Sequence, residues 1–150
     1  MSEYGDGAAS TAPYDVPVDP LRRTTQYTGE PGCIADARGF AGMFVEQLAA
    51  EWCAVLDDRA RGDILLIVSE LVTNADVHSH GPYVLELEGT DESVTVTVYD
   101  SSATLPHRYP ADPGRIGGHG LEIVHVVADE VSVERIPVGK RVRAVLSFGR

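Results

Sequence analysis

The sequence predicts an α/β (α+β) two-layer sandwich, in which a mixed, mostly antiparallel sheet carries helices on one face. Three observations predict it. The chain reads strand, helix, helix, strand, strand, loop, helix, strand, strand. Neighbouring strands are joined by short turns, which implies antiparallel pairing. The first two helices each show one apolar stripe, and with antiparallel strands the helices gather on one face of the sheet. The chain has 150 residues, of which 43% are hydrophobic, enough to build one core.

Each element follows from local pattern. Residues 1–20 are Gly, Ser, Ala, Pro and acidic residues with scattered Tyr, and predict a disordered tail ahead of one domain over 21–150. Leu21 to Thr28, rich in Thr and Tyr, predicts a strand, and Gly29-Glu30-Pro31-Gly32 a turn. Ile34 to Trp52 places Ile34, Ala37, Ala41, Phe44, Val45, Leu48 and Trp52 at helical spacing. Asp57 or Asp58 can cap a second helix with the stripe Ile64, Leu65, Val68, Leu71, Val72 and Ala75, and Gly81-Pro82 lies past its end. Tyr83 to Glu88 and Ser93 to Tyr99 alternate like the two strands of a hairpin. Residues 101–117 form a long loop, and long loops in small domains are usually functional. Gly118 opens a third helix over Leu121 to Ala128. Strands over Val131 to Ile136 and Val142 to Phe148 close the chain, joined by a turn at Pro137-Val138-Gly139-Lys140.

Charge and composition exclude several functions. The net charge is -11, from 12 basic and 23 acidic residues. Such a surface repels phosphate backbones, which argues against direct nucleic-acid binding and for a basic partner or a metal-bound nucleotide. No stretch approaches the roughly 20 apolar residues of a membrane span. Met1 to Ala12 has no signal-peptide pattern, and a cytoplasmic protein is expected. Cys33 and Cys53 read as two reduced, buried thiols.

Three clusters carry chemistry. Glu70 and Asn74 stack one turn apart on a helix face distinct from the apolar stripe, with His78 a further turn along. An amide oxygen suits a hard cation such as Mg²⁺, and a carboxylate can take a proton. Taken alone, a Glu and an Asn at this spacing read as an ordinary solvated helix face. Asp100 ends a strand where the long loop begins, a place for a ligand or for a simple turn cap. Gly117-Gly118-His119-Gly120-Leu121 opens a helix, where unpaired N–H groups and close backbone approach favour an anion. It lacks the Lys-Ser/Thr of a P-loop.

Order and spacing join the three. Ser-Glu-Leu-Val-Thr-Asn-Ala-x-x-His at 69–78, Val-x-Asp at 98–100 followed by Pro106, and Gly-Gly-x-Gly-Leu at 117–121 resemble the motifs of the histidine-kinase-like (Bergerat) ATPases. Within them the chain resembles the short actinobacterial anti-sigma-factor serine kinases over about residues 21–148. The resemblance implies ATP and Mg²⁺ as ligands. It implies Glu70 as general base, Asn74 as the Mg²⁺ ligand, and Asp100 as acceptor from the adenine amino group. It implies Gly118 and Gly120 as phosphate-facing backbone, residues 107–117 as a lid, and Lys140 as the subfamily's lysine near the last strand. His78, Ser102, Pro106, Gly117, His119 and Leu121 complete the implied nucleotide site. Ser102 and Thr104 stand where the family usually has glycines, Asp76 and Val77 where it commonly has an apolar and a basic residue, and Arg141 where it has a threonine.

The expected function is that of an ATP-dependent serine/threonine kinase. It phosphorylates an anti-anti-sigma (STAS-type) protein and sequesters a sigma factor. The second reading is a module that holds those partners without turnover and binds ATP at most structurally. A detached catalytic domain of a histidine kinase is the third, disfavoured because the chain has no room for a dimerisation helix pair. The residues leave the oligomeric state open, and the resemblance suggests a homodimer.

Overall fold

The computed structural model describes residues 19–79, 81–101 and 119–148. Most of the expected tail, and the loop with Ser102, Pro106, Gly117 and Gly118, lie outside the described residues. Eight elements run in the order β1 (Leu21–Tyr27), α1 (Cys33–Trp52), α2 (Asp58–His78), β2 (Tyr83–Gly89), β3 (Ser93–Asp100), α3 (His119–Val127), β4 (Glu130–Ile136) and β5 (Gly139–Ser147). The strands form one sheet in the order β1-β2-β3-β5-β4, and every pairing in it is antiparallel. The expected two-layer α+β sandwich is what the chain builds. β5 runs antiparallel to both neighbours, so β3 and β4 point the same way, and the segment containing α3 crosses between them.

Alternation decides what faces the helices. Register aligns three inward rungs across β2, β3 and β5: Gly89, Val94 and Leu146; Leu87, Val96 and Ala144; Leu85, Val98 and Val142. All nine are buried, and the apolar ones meet the stripes of α1 and α2 in a single core. Burying a Val or Leu side chain contributes about 1.5–3 kcal/mol, so these rungs bind sheet to helices. A fourth rung continues the same phase but is polar: Tyr83, Asp100 and Lys140. The opposite face of the sheet is charged, with Arg22 bridging Glu86 and Glu88, and Arg141 pairing with Glu134.

The helix starts follow local chemistry. α1 begins after Gly32, whose left-handed φ of 97° suits a residue without Cβ. α2 is capped by Asp57, whose Oδ1 accepts from the Ala60 N–H at 2.8 Å. Trp52 closes the buried stripe of α1.

Two sequence expectations need correction. Cys33 is buried, but Cys53 is exposed. Cys53 is the left-handed residue that ends α1, at φ 55°, and is exposed between the buried Trp52 and Ala54. Gly139 and Lys140 belong to β5 rather than to a turn. Ile136 pairs with Gly139, which leaves Pro137-Val138 as a two-residue connection.

Candidate functional site

The site is built where the second half of α2, the first turn of α3 and the end of β3 meet. Asp57 sets the start of α2, and the apolar stripe sets its rotation. Glu70 and Asn74 then fall at the margin of the core, half-buried, not out in solvent. α3 lies over Glu70. A Cβ placed on Gly120 would stand 2.5 Å from Glu70 Oε1, so the carboxylate rests against the backbone of that first turn. Only glycine permits this approach. The free N–H groups and the dipole of a helix start favour a negative charge there.

Asn74 Oδ1 is buried and has no hydrogen-bond partner among the described residues. An unsatisfied buried acceptor costs about 1–3 kcal/mol, which is sustained where a ligand takes it up. The adjacent Thr73 is accounted for, since its hydroxyl donates to Ser69 O at 2.6 Å. Val77 shares the face of Glu70 and Asn74 and is 63% exposed. His78, the last residue of α2, is exposed as well.

Asp100 is the final residue of β3 and is 4% exposed. Its carboxylate Oδ2 lies 3.4 Å from Lys140 Nζ, and both side chains are almost wholly buried. The backbone is equally close. A Cβ on Gly139 would fall 2.0 Å from Asp100 O, so β5 needs glycine there. Ser79 Oγ and Ser101 Oγ stand 3.2 Å apart and link the exit of α2 to the exit of β3. The ends of these two elements are thereby held as one unit.

Asp76 has a different partner. The Tyr83 hydroxyl donates to its Oδ1 at 3.0 Å, tying α2 to β2. Burial and that bond push the Tyr83 phenol well above the usual tyrosine range. Arg141, the other departure from the family pattern, sits on the charged face of the sheet with Glu134, away from the inward phase of Asp100.

Of the residues singled out from the sequence, Glu70, Asn74 and Gly120 lie around one corner, and Asp100 with Lys140 lies at the adjoining strand end. His119 and Leu121 share the first turn of α3, with Leu121 buried toward the core. Sequence reasoning missed two features: the contact of Glu70 with Gly120 and the pairing of Asp100 with Lys140. The second had a signal. Asp100 continues the inward phase of Val94, Val96 and Val98, and Lys140 that of Val142, Ala144 and Leu146. A separate cleft of about 440 Å³ at the far end of α2 is lined by Asp57, Asp63, Val127 and Phe148, among others, and shares no residue with this corner.

Among the described residues no helix is long and apolar enough to cross a membrane. No curated protein matches the chain. A crystal structure of the RsbU and RsbW domains of Rv1364c from Mycobacterium tuberculosis is similar, with a TM-score of 0.53 at 20% sequence identity. The similarity covers 89% of this chain and 33% of that one, so this chain spans about a third of its length. At that identity the likeness is one of fold. The pattern of the family described as "Histidine kinase-like ATPase domain" matches residues 37–146, from the second turn of α1 nearly to the end of β5 and across every element of the site. The chain therefore belongs to the histidine kinase-like ATPase family.

Proposed function

We propose that this chain is an ATP-dependent serine/threonine protein kinase of the anti-sigma type, working in the cytoplasm. Its substrate is a serine of a STAS-type anti-anti-sigma protein, and its second partner is a sigma factor that it sequesters. The observation that carries the reading is the corner itself: Glu70 against the backbone of Gly120, one helical turn from the unsatisfied Asn74 Oδ1. A carboxylate, a neutral oxygen donor and a helix start together suit a metal-bound phosphate.

Mg²⁺ fits this corner, because a buried amide oxygen without a partner is a ligand for a hard cation. Asn74 would hold it, and when bound it would offset the charge of the transferring phosphoryl group. Asp100 accepts from the amino group of the base. Glu70 takes the proton of the attacking serine hydroxyl, whose oxygen gains the γ-phosphoryl group as ADP leaves. The backbone N–H groups at the start of α3 would stabilise the transferred charge.

The test is transfer of label from γ-labelled ATP to a STAS-type partner. Wild type labels serine. Glu70→Ala lowers transfer by about 10²–10⁴-fold and leaves ATP affinity within about threefold. Retained transfer in that variant would remove Glu70 as base. A second reading, a module that holds its partners without turnover, is favoured by Val77, an uncharged and exposed residue on the face of Glu70 and Asn74. ATP binding without transfer by wild type decides for it.

A further inference from the structure

We propose that Lys140 is a positioning residue that holds the Asp100 carboxylate as an acceptor, and so makes the site select a base with an exocyclic amino group over one with a carbonyl at that position. The inference rests on the reading of Asp100 as the residue that meets the base.

Three observations carry it. The first is the rung. Tyr83, Asp100 and Lys140 lie side by side on β2, β3 and β5 in the phase that elsewhere buries Val, Ala and Leu. An apolar residue at 140 would continue that pattern and strengthen the core. A lysine there is costly unless its charge is used. The second is the pair. Both side chains are 1% exposed and Lys140 Nζ is 3.4 Å from Asp100 Oδ2. A buried carboxylate stripped of a cation beside it is strongly unfavourable, so the lysine favours the charged form of Asp100. The third is the backbone. Gly139 presses on Asp100 O so closely that any Cβ would overlap it, which sets the backbone at the strand end from which the side chain leaves.

The consequence for specificity is direct. A carboxylate beside an ammonium offers acceptors and no donor. An amino group satisfies it. A carbonyl sets two acceptors face to face and is rejected. Lys140 acts on the base only through Asp100, because the base-facing chemistry belongs to the carboxylate.

The experiment compares ATP with ITP, which carry an amino group and a carbonyl at the 6-position of the base. Binding of each is measured by calorimetry to wild type, Lys140→Met, Lys140→Arg, Asp100→Asn and the double variant Asp100→Asn/Lys140→Met, with folding checked by circular dichroism. Wild type prefers ATP by about 10²-fold or more. Lys140→Met lowers that ratio about tenfold or more, and Lys140→Arg keeps it within about threefold. Removing Lys140 from the Asp100→Asn protein leaves the ratio unchanged, because the residue through which it acts is already altered. If Lys140→Met alone does not fold, Lys140→Gln takes its place and is read in the same way. Equal loss of both nucleotides in Lys140→Met makes Lys140 a scaffold residue and overturns the proposal. So does a further fall of the ratio in the double variant. A wild type that binds neither nucleotide, or both equally, overturns the underlying reading of Asp100 instead.

Discussion

At the scale of single residues, the site is defined by what touches what. Gly120 matters because Glu70 Oε1 occupies the place of its missing Cβ. Gly120→Ala pushes aside the flexible end of Glu70 and leaves the backbone where it is. Alanine is favoured over glycine in a helix by up to about 1 kcal/mol, so thermal stability is expected to hold or rise. Phosphotransfer is expected to fall by about 10–100-fold, since the carboxylate moves off its position. A variant with the wild-type transfer rate would show that the contact has no part in the chemistry. Tyr83 makes a second prediction. Its phenol is shifted upward when folded, so the folded state keeps a proton that the unfolded chain loses above about pH 10. The stability this gives is full below that pH and is lost as pH rises beyond it. Tyr27 and Tyr99 are shifted the same way. Tyr83→Phe is expected to cost about 1 kcal/mol at neutral pH, through the lost bond to Asp76, and to flatten the alkaline fall measured by urea unfolding. An unchanged alkaline slope would assign that fall to other groups. The same bond explains why residue 76 is an aspartate: it ties α2 to β2.

At the scale of elements, α2 joins the core to the site. Its capped start and its apolar stripe set the rotation that brings Glu70 and Asn74 to the core margin. Asp57→Ala removes the acceptor for Ala60 N–H and is expected to lower stability by about 1 kcal/mol in denaturant melts. Nucleotide affinity is expected to stay within about twofold, because the cap is more than three turns from Glu70. A large loss of affinity would mean that the helix start sets the geometry of its far half. The β4–β5 hairpin shows the opposite dependence. Pro137-Val138-Gly139-Lys140 reads locally as a turn, yet the strand claims the last two residues. Lys140 is drawn into the sheet by Asp100 opposite, and Gly139 is what lets the strands approach.

At the scale of the whole molecule, the crossover from β3 through α3 to β4 brings three separated motifs together. Glu70 and Gly120 are fifty residues apart in sequence and in contact in space. The site is open enough in chemistry, with its buried Asn74 oxygen, that a ligand should stabilise the fold. With Mg²⁺–ATP at about 100 times its Kd, the gain is expected to be about 2.7 kcal/mol. In a chain of 150 residues that raises Tm by about 5–10 °C. Asn74→Ala is expected to abolish the Mg²⁺-dependent part of the shift in differential scanning fluorimetry. A full shift in that variant would place the metal elsewhere.

The sequence by itself determined the element order, the antiparallel hairpins, the helix stripes and the identity of Glu70, Asn74, Asp100 and Gly120 as candidates, because these rest on period, capping and motif, which are local. The exposure of Cys53 and the burial of Lys140 escaped it for one reason: whether a residue at an element boundary is buried depends on what lies across from it. Only the tertiary structure decided that Glu70 lies under α3, that Asp76 belongs to Tyr83, and that Asp100 shares its burial with a lysine forty residues on. Those are contacts between elements, and they exist only once packing has set the distance between helices and sheet.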